Sequence, residues 1–251
     1  MNFPVYVGVE PVRIHAHWVF ESLAYLVGFR LFLWMRRRSG DTLPSSQRLS
    51  VVAAAILGAA VGSKVLFWFS DPAMLLRNLS NPVYLLSGKT IVGALAGGLL
   101  AVEWMKRRMG VTQPTGDLFA LPLAIGVAVG RVGCFLSGLG DHTYGLPTGL
   151  PWGVDFGDGI PRHPTQLYEI LWMVFLALWI RHLQRGSYRQ GDLFKLFMVG
   201  YMVFRLLVDF LKPGVPLAGL TAIQWVCVAV LFHYRRDLPV LLRGKEASTH
   251  G

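Results

Sequence analysis

Seven times in 251 residues this sequence turns apolar for close to the length that crosses a bilayer, at about 17–35, 50–69, 90–105, 118–137, 166–183, 194–211 and 219–234. A helix rises about 1.5 Å per residue and a hydrocarbon core is about 30 Å thick, so each run predicts a membrane-spanning helix. The third run is short, which predicts a helix that starts deeper or tilts little. Composition agrees: 53% of residues are hydrophobic and 15% are charged, where a soluble domain carries about 25% charged. The fold predicted is all-α and polytopic, with seven transmembrane helices forming one integral-membrane domain over residues 1–251.

Basic residues orient such a bundle, because cytoplasmic connections carry an excess of Lys and Arg. One alternating set of connections holds Arg36, Arg37, Arg38 and Arg48; Lys106, Arg107 and Arg108; Arg181, Arg185, Arg189 and Lys195; and Arg235, Arg236, Arg243 and Lys245, fifteen in all. The other set, with the N-terminal segment, holds only five: Arg13, Arg77, Lys89, Arg162 and Lys212. This predicts the N-terminus outside and the C-terminus in the cytoplasm. The net charge of +10 is thereby topology information in short clusters, and no nucleic-acid partner is expected. Residues 1–16 lack a basic stretch followed by an apolar core, so no cleaved signal peptide is predicted. Cys134 and Cys227 sit in apolar runs and read as buried free thiols. The acids, histidines and cysteines show no metal-ligand spacing, and no cofactor is implied. The longest outer connection, 138–165, sets Trp152 and Phe156 beside the turn formers PTGLPWG and FGDG, which predicts a folded outer cap. Residues 240–251 read as a flexible cytoplasmic tail.

Ionisable side chains are costly inside a bilayer and face a bundle interior or a wet cavity. On the predicted topology Glu21 lies roughly 6 Å below the outer surface and Arg131 about 10 Å below it, with Arg205 at a similar depth. Asp209 lies nearer the rim, and Glu169 opens the fifth run from the same side. These groups gather in the outer half. Tyr201, Arg205 and Asp209 share one helix face by their i, i+4, i+8 spacing, which suits either a helix-locking ion pair or a binding face. Arg30, Glu103 and Lys64 are explained by snorkelling or structural pairing. Arg131 sits in GRVG, where Gly130 and Gly133 let a backbone or a ligand approach closely. A guanidinium there can hold a carboxylate or a phosphate by two parallel hydrogen bonds. Two arginines beneath the outer surface, roofed by a folded loop, suit an anionic phospholipid headgroup whose tails remain in membrane lipid.

Five segments then carry a resemblance: AYLVGF at 24–29, GRVGCF…YG at 130–145, RHPTQLYE at 162–169, GYMVFRLLVDFLKP at 200–213, and Gln224 in the last run. In order and spacing they resemble the bacterial phosphatidylglycerol–prolipoprotein diacylglyceryl transferases. The resemblance implies a multi-pass protein of the bacterial cytoplasmic (inner) membrane with its active site toward the outer face. It implies transfer of the diacylglyceryl group of phosphatidylglycerol to the lipobox cysteine in a preprolipoprotein signal peptide, forming a thioether and releasing glycerol phosphate. That chemistry needs a base for a thiol of pKa about 8.5 and cations for the departing phosphate. Carried over by position, Arg131 and Arg205 would clamp phosphate, Tyr201 would bond headgroup or cap, and Asp209 would orient Arg205. Gly133 and Gly145 fall in the signature segment, and His163, Gln166, Tyr168 and Glu169 would shape the outer end of the fifth span and anchor the loop.

The departures concern proton transfer. The family's third span usually carries a His-Gly-Gly motif, and KTIVGALAGG aligns Val92 with its histidine. Glu21 stands at the first-span tyrosine, Cys134 at an asparagine, and LGDH carries a small insertion where the family has an acid. Asp141, His142 and Glu21 are the residues that could supply the base. His142 is the leading choice, since imidazole exchanges protons near neutral pH, with Asp141 to orient it. His15 and His17 read as interfacial anchors. The function expected is the diacylglyceryl transfer; the alternatives are a phospholipid-dependent transferase with another acceptor and a non-catalytic lipid-binding paralogue.

Overall fold

The computed structural model describes residues 3–9, 12–186 and 188–239. The predicted tail at 240–251, with Arg243 and Lys245, lies outside the described residues. The described chain is mostly helical and forms two compact units. Each apolar run becomes a helix, and two short helices fall in the connection between the second and third runs. In chain order the helices are α1 (Ala16–Ser39), α2 (Ser45–Ser70), α3 (Pro72–Arg77), α4 (Pro82–Leu86), α5 (Ile91–Arg108), α6 (Asp117–Leu136), α7 (Thr165–Leu183), α8 (Asp192–Val208) and α9 (Ala222–His233). By length and composition α1, α2 and α6 are each sufficient to cross a membrane.

The first unit holds α1, α6, α7 and α8. Helix α6 packs against the other three. Its buried positions include Ala120, Ala124, Ala128 and Gly133, and a face this thin lets helix axes approach where lipid supplies no hydrophobic drive. At Gly133 an added Cβ would lie 2.9 Å from Phe20 Cβ and 3.2 Å from His17 Cα. At Gly200 it would lie 2.8 Å from Leu176 Cδ2. Trp172 donates to the Gly200 carbonyl at 3.0 Å, which fixes the register of α7 against α8.

The all-α expectation needs a small amendment, because short strands frame the connections. β1 (Tyr6–Val9) pairs antiparallel with β2 (Val12–His15) ahead of α1. β3 (Val154–Asp155) pairs with β4 (Pro161–Arg162) inside the loop predicted as a cap. That loop is folded. A 3-10 turn at Gly138–Asp141 opens it, and Phe156 is buried against Phe3 and Phe135. Trp152 Nε1 donates to Tyr168 Oη at 2.8 Å, and Gly145 sits so close to His163 that a Cβ would meet its Cβ at 2.6 Å.

The second unit holds α2, α3, α4, α5 and α9, with β5 (Pro216–Leu217) paired to β6 (Leu220–Thr221). Gly58 and Gly62 on α2 meet Gly93 and Gly97 on α5; a Cβ on Gly97 would stand 2.3 Å from the Gly58 carbonyl oxygen. Two glycines four residues apart on each helix make one smooth contact stripe. Buried Arg48 pairs with Asp41 and donates to the Thr115 carbonyl at 3.0 Å. Lys64 turns its ammonium onto the carbonyls of Leu86, Ser87 and Gly88 at the end of α4. Gln224 forms a capping box with Thr221 at the start of α9, which is a structural role.

Candidate active site

The site lies in the first unit, at the end where α1 and α7 begin and α6 and α8 finish. Helix α7 starts with Thr165, Gln166 and Glu169 all buried, and Met173, Leu176 and Ile180 continue the same stripe. Spacings of three and four carry polar residues down an apolar face and aim them into the bundle. Glu169 is the hub. Its Oε2 lies 2.9 Å from Arg131 Nε and 3.1 Å from Arg205 Nη1, and its Oε1 accepts the Tyr201 hydroxyl at 2.6 Å. Arg205 Nη2 reaches Asp209 Oδ1 at 3.1 Å, one turn along. Tyr201 is held flat by Phe197, whose ring stacks 6.1 Å away.

All of these side chains are at least nine-tenths buried. Two guanidiniums on one carboxylate leave donors unfilled, since arginine has five N–H groups. Arg205 Nε is buried without a hydrogen-bond partner, and Arg131 Nε approaches Glu169 without a bonding angle. Gln166, 1% exposed and one turn before Glu169 on the same stripe, has neither amide oxygen nor nitrogen paired. Such orphans are rare in native interiors and mark places where a polar ligand or water belongs. The half-buried Lys212 follows the 3-10 turn Asp209–Leu211. Burial and the charges of Arg205 and Arg131 push its ammonium down to about 7. Below about pH 7 three cations thus face two carboxylates, a balance that one bound anion completes.

The arrangement brings together Arg131, Tyr201, Arg205, Asp209, Gln166 and Glu169. It moves Glu169 from the loop-anchoring role expected of it to the centre. Loop anchoring falls instead to Tyr168 and His163, whose Nδ1 lies 3.2 Å from the Tyr168 hydroxyl. Glu21 does not pair with either arginine; it faces His17, Nε2 to Oε2, at 3.5 Å. Asp141 turns the same way, its Oδ1 lying 3.3 Å from His17 Nδ1. His142 is exposed and has a left-handed backbone (φ 52°). A ring nitrogen of His17, Cys134 Sγ and a carboxylate oxygen of Asp141 lie within 4.8 Å of one another. Cys134 Sγ also lies 3.6 Å from Arg131 Nη1, so the two groups of side chains adjoin. His17, read from the sequence as an interfacial anchor, thus stands between two carboxylates; its i, i+4 spacing to Glu21 on one helix face is the signal for the first of them.

A family model described as "Prolipoprotein diacylglyceryl transferase" matches residues 4–234. Among curated proteins, one from Bordetella parapertussis named phosphatidylglycerol–prolipoprotein diacylglyceryl transferase is 32% identical, over 91% of this chain and 91% of its own length. Proteins of the same name from Solidesulfovibrio magneticus and Vibrio parahaemolyticus are 32% and 33% identical, over 96% and 86% of this chain and 91% and 81% of theirs. With Arg131 in its GRVG segment, RHPTQLYE at the start of α7 and the Tyr201–Arg205–Asp209 face on α8, and with relatives matched along nearly its whole length, this chain belongs to the prolipoprotein diacylglyceryl transferase family.

Proposed function

We propose that the protein transfers the diacylglyceryl group of phosphatidylglycerol to the lipobox cysteine of a preprolipoprotein signal peptide, forming a thioether and releasing glycerol phosphate. The observation that carries this is the buried Arg131–Glu169–Arg205 junction with its unfilled donors. A phosphodiester carries one negative charge and several acceptor oxygens. Arg205 Nε and Lys212 offer it donors, and the Gln166 amide suits the glycerol hydroxyls. Glu169 keeps the two guanidiniums from repelling each other, while Tyr201 fixes the orientation of Glu169 and Asp209 that of Arg205. When the carbon–oxygen bond breaks, charge grows on the departing phosphate, and preorganised cations stabilise that growth without reorganising.

On this reading the chain crosses the inner membrane seven times, N-terminus outside, and the site opens toward the outer face; the fifteen-to-five bias of basic residues supports it. The experiment is direct. Purified protein in lipid nanodiscs is given phosphatidylglycerol labelled in its diacylglycerol part and a lipobox peptide. Label should move to the peptide cysteine, and Arg131→Ala and Arg205→Ala should each abolish the transfer. Peptide that stays unlabelled over days at saturating donor would refute the reading. One observation favours a second reading, a phospholipid-dependent transferase with a different acceptor: Val92, where the family usually has histidine, is apolar and 1% exposed. Release of glycerol phosphate without peptide labelling would decide for that acceptor class.

A further inference from the structure

Three positions where this chain departs from the family pattern (Glu21, Cys134 and Asp141) gather around one imidazole, that of His17. The ring sits at the second residue of α1, and His15 Nδ1 accepts the backbone N–H of His17 at 3.3 Å. Gly133 lets α6 pass directly beneath it. Both ring nitrogens face carboxylates: Nδ1 lies 3.3 Å from Asp141 Oδ1 and Nε2 lies 3.5 Å from Glu21 Oε2. Each carboxylate is steadied through its other oxygen. Thr143 donates to Asp141 Oδ2 at 2.7 Å, and Tyr25 donates to Glu21 Oε1 at 3.3 Å. A neutral imidazole has one N–H and can serve one of these acceptors. Its other nitrogen then points a lone pair at a carboxylate oxygen, and Nδ1 is in fact buried without a hydrogen bond. A second proton on the ring would find its acceptor already in place. The pocket is built to receive a proton.

It is also in the right location. Cys134 adjoins both groups of side chains: its sulfur lies within 4.8 Å of a His17 ring nitrogen and an Asp141 carboxylate oxygen and 3.6 Å from Arg131 Nη1. A phosphate held by Arg131 would lie on the far side of Cys134 from the His17 ring, with that one side chain separating the anion site from the imidazole. Cys134 is not the nucleophile, because diacylglyceryl transferred to it would form a thioether with no usable leaving group and end the cycle. Resting on the transfer reading above, we propose that His17 is the general base of the reaction, with Asp141 and Glu21 as its positioning residues. As the acceptor sulfur forms its bond to the glycerol carbon, the carbon–oxygen bond breaks and its electron pair leaves with the phosphate. The thiol proton passes to His17, whose imidazolium is held between the two carboxylates until the proton is released to product or water. Among the described residues, the charged or titratable groups that face His17 are Asp141, Glu21, Cys134 and His15, with Arg131 behind Cys134.

The test follows label transfer from phosphatidylglycerol to a lipobox peptide in nanodiscs between pH 5.5 and 8.5. His17→Gln should lower kcat by about 10²–10⁴-fold, the usual range for a lost base, with KM for the lipid within about twofold. It should also erase the fall in rate toward acid, and added imidazole should restore part of the rate. Asp141→Asn and Glu21→Gln should each lower kcat with KM for the lipid within about twofold, a split that a merely structural role would not give. His17→Gln retaining more than a third of wild-type kcat, or keeping the same acid limb, overturns the assignment. So does wild-type activity that vanishes with a chelator and returns with zinc, because His17, Cys134 and Asp141 would then be metal ligands. A wild-type protein that labels no peptide overturns the transfer reading together with the base; an active wild type with an active His17→Gln overturns the base alone.

Discussion

Glu169→Gln tests whether the buried hub is what holds the site together. The amide keeps the size of the side chain and an oxygen for the Tyr201 hydroxyl, but it removes the charge that two guanidiniums share at 2.9 and 3.1 Å. Glu169 is 1% exposed, Arg131 7% and Arg205 5%, so water cannot screen the cations left behind. Removing one partner of a buried ion pair typically costs about 3–5 kcal/mol. For a chain of this size about 1 kcal/mol moves the melting temperature by about 2–4 °C, which predicts a fall of about 6–20 °C. The eight tryptophans supply the fluorescence signal for a thermal scan of the purified protein in nanodiscs.

The pH dependence of that deficit has a definite sign. Lys212, whose ammonium is pushed down to about 7 in the native protein, is drawn back toward the charged form by Glu169 and Asp209. Below pH 7 the wild-type lysine is protonated and Glu169 stabilises it; above pH 7 it is neutral and loses nothing when Glu169 goes. The destabilisation by Glu169→Gln should therefore be larger at pH 6 than at pH 8.5. A bound anion should repay part of it, so phosphatidylglycerol nanodiscs should raise the variant's melting temperature more than phosphatidylcholine nanodiscs do. A shift below about 2 °C at both pH values would refute the hub assignment, because the arginines would then be compensated elsewhere.

Lys212 supplies a second test: affinity for a phosphatidylglycerol headgroup analogue should weaken as pH rises through about 7, since the ammonium is lost, and Lys212→Arg should flatten the dependence between pH 6 and 8 in a calorimetric titration. Gly97→Ala puts a Cβ 2.3 Å from the Gly58 carbonyl oxygen, and the forced separation of α2 from α5 should cost about 1–3 kcal/mol, read as a lower melting temperature with the Arg131 site intact. Gly133→Ala pushes on Phe20 and on the backbone of His17, so transfer should slow several-fold while lipid binding, measured by fluorescence competition, stays near wild type. Trp152→Phe removes the donor to Tyr168 and should cost about 0.5–1.5 kcal/mol, with faster amide exchange confined to the 146–162 loop.

The helices were legible because a bilayer-length apolar run admits few alternatives, and the buried Arg131 and Arg205 were legible because charge in such a run demands a reason. The inward face of α7 is legible in the spacing of Thr165, Gln166, Glu169 and Met173: polar residues at three- and four-residue intervals along a buried stripe point into a bundle, not toward a loop. What could not be read was where loop residues travel. Asp141 and His142 are neighbours in sequence, which suggests a working pair, but Asp141 ends the 3-10 turn facing His17 while His142 is exposed. Asp141 then meets a histidine 124 positions earlier in the chain, a contact that no local pattern encodes. The strand pairs escaped for a related reason: two-residue ladders such as Val154–Asp155 with Pro161–Arg162 are too short to show alternation. Helix faces can be read from period alone, whereas a site completed by a loop depends on where the turn at Gly138–Asp141 carries its last residue, and here that turn brings Asp141 Oδ1 to 3.3 Å from His17 Nδ1.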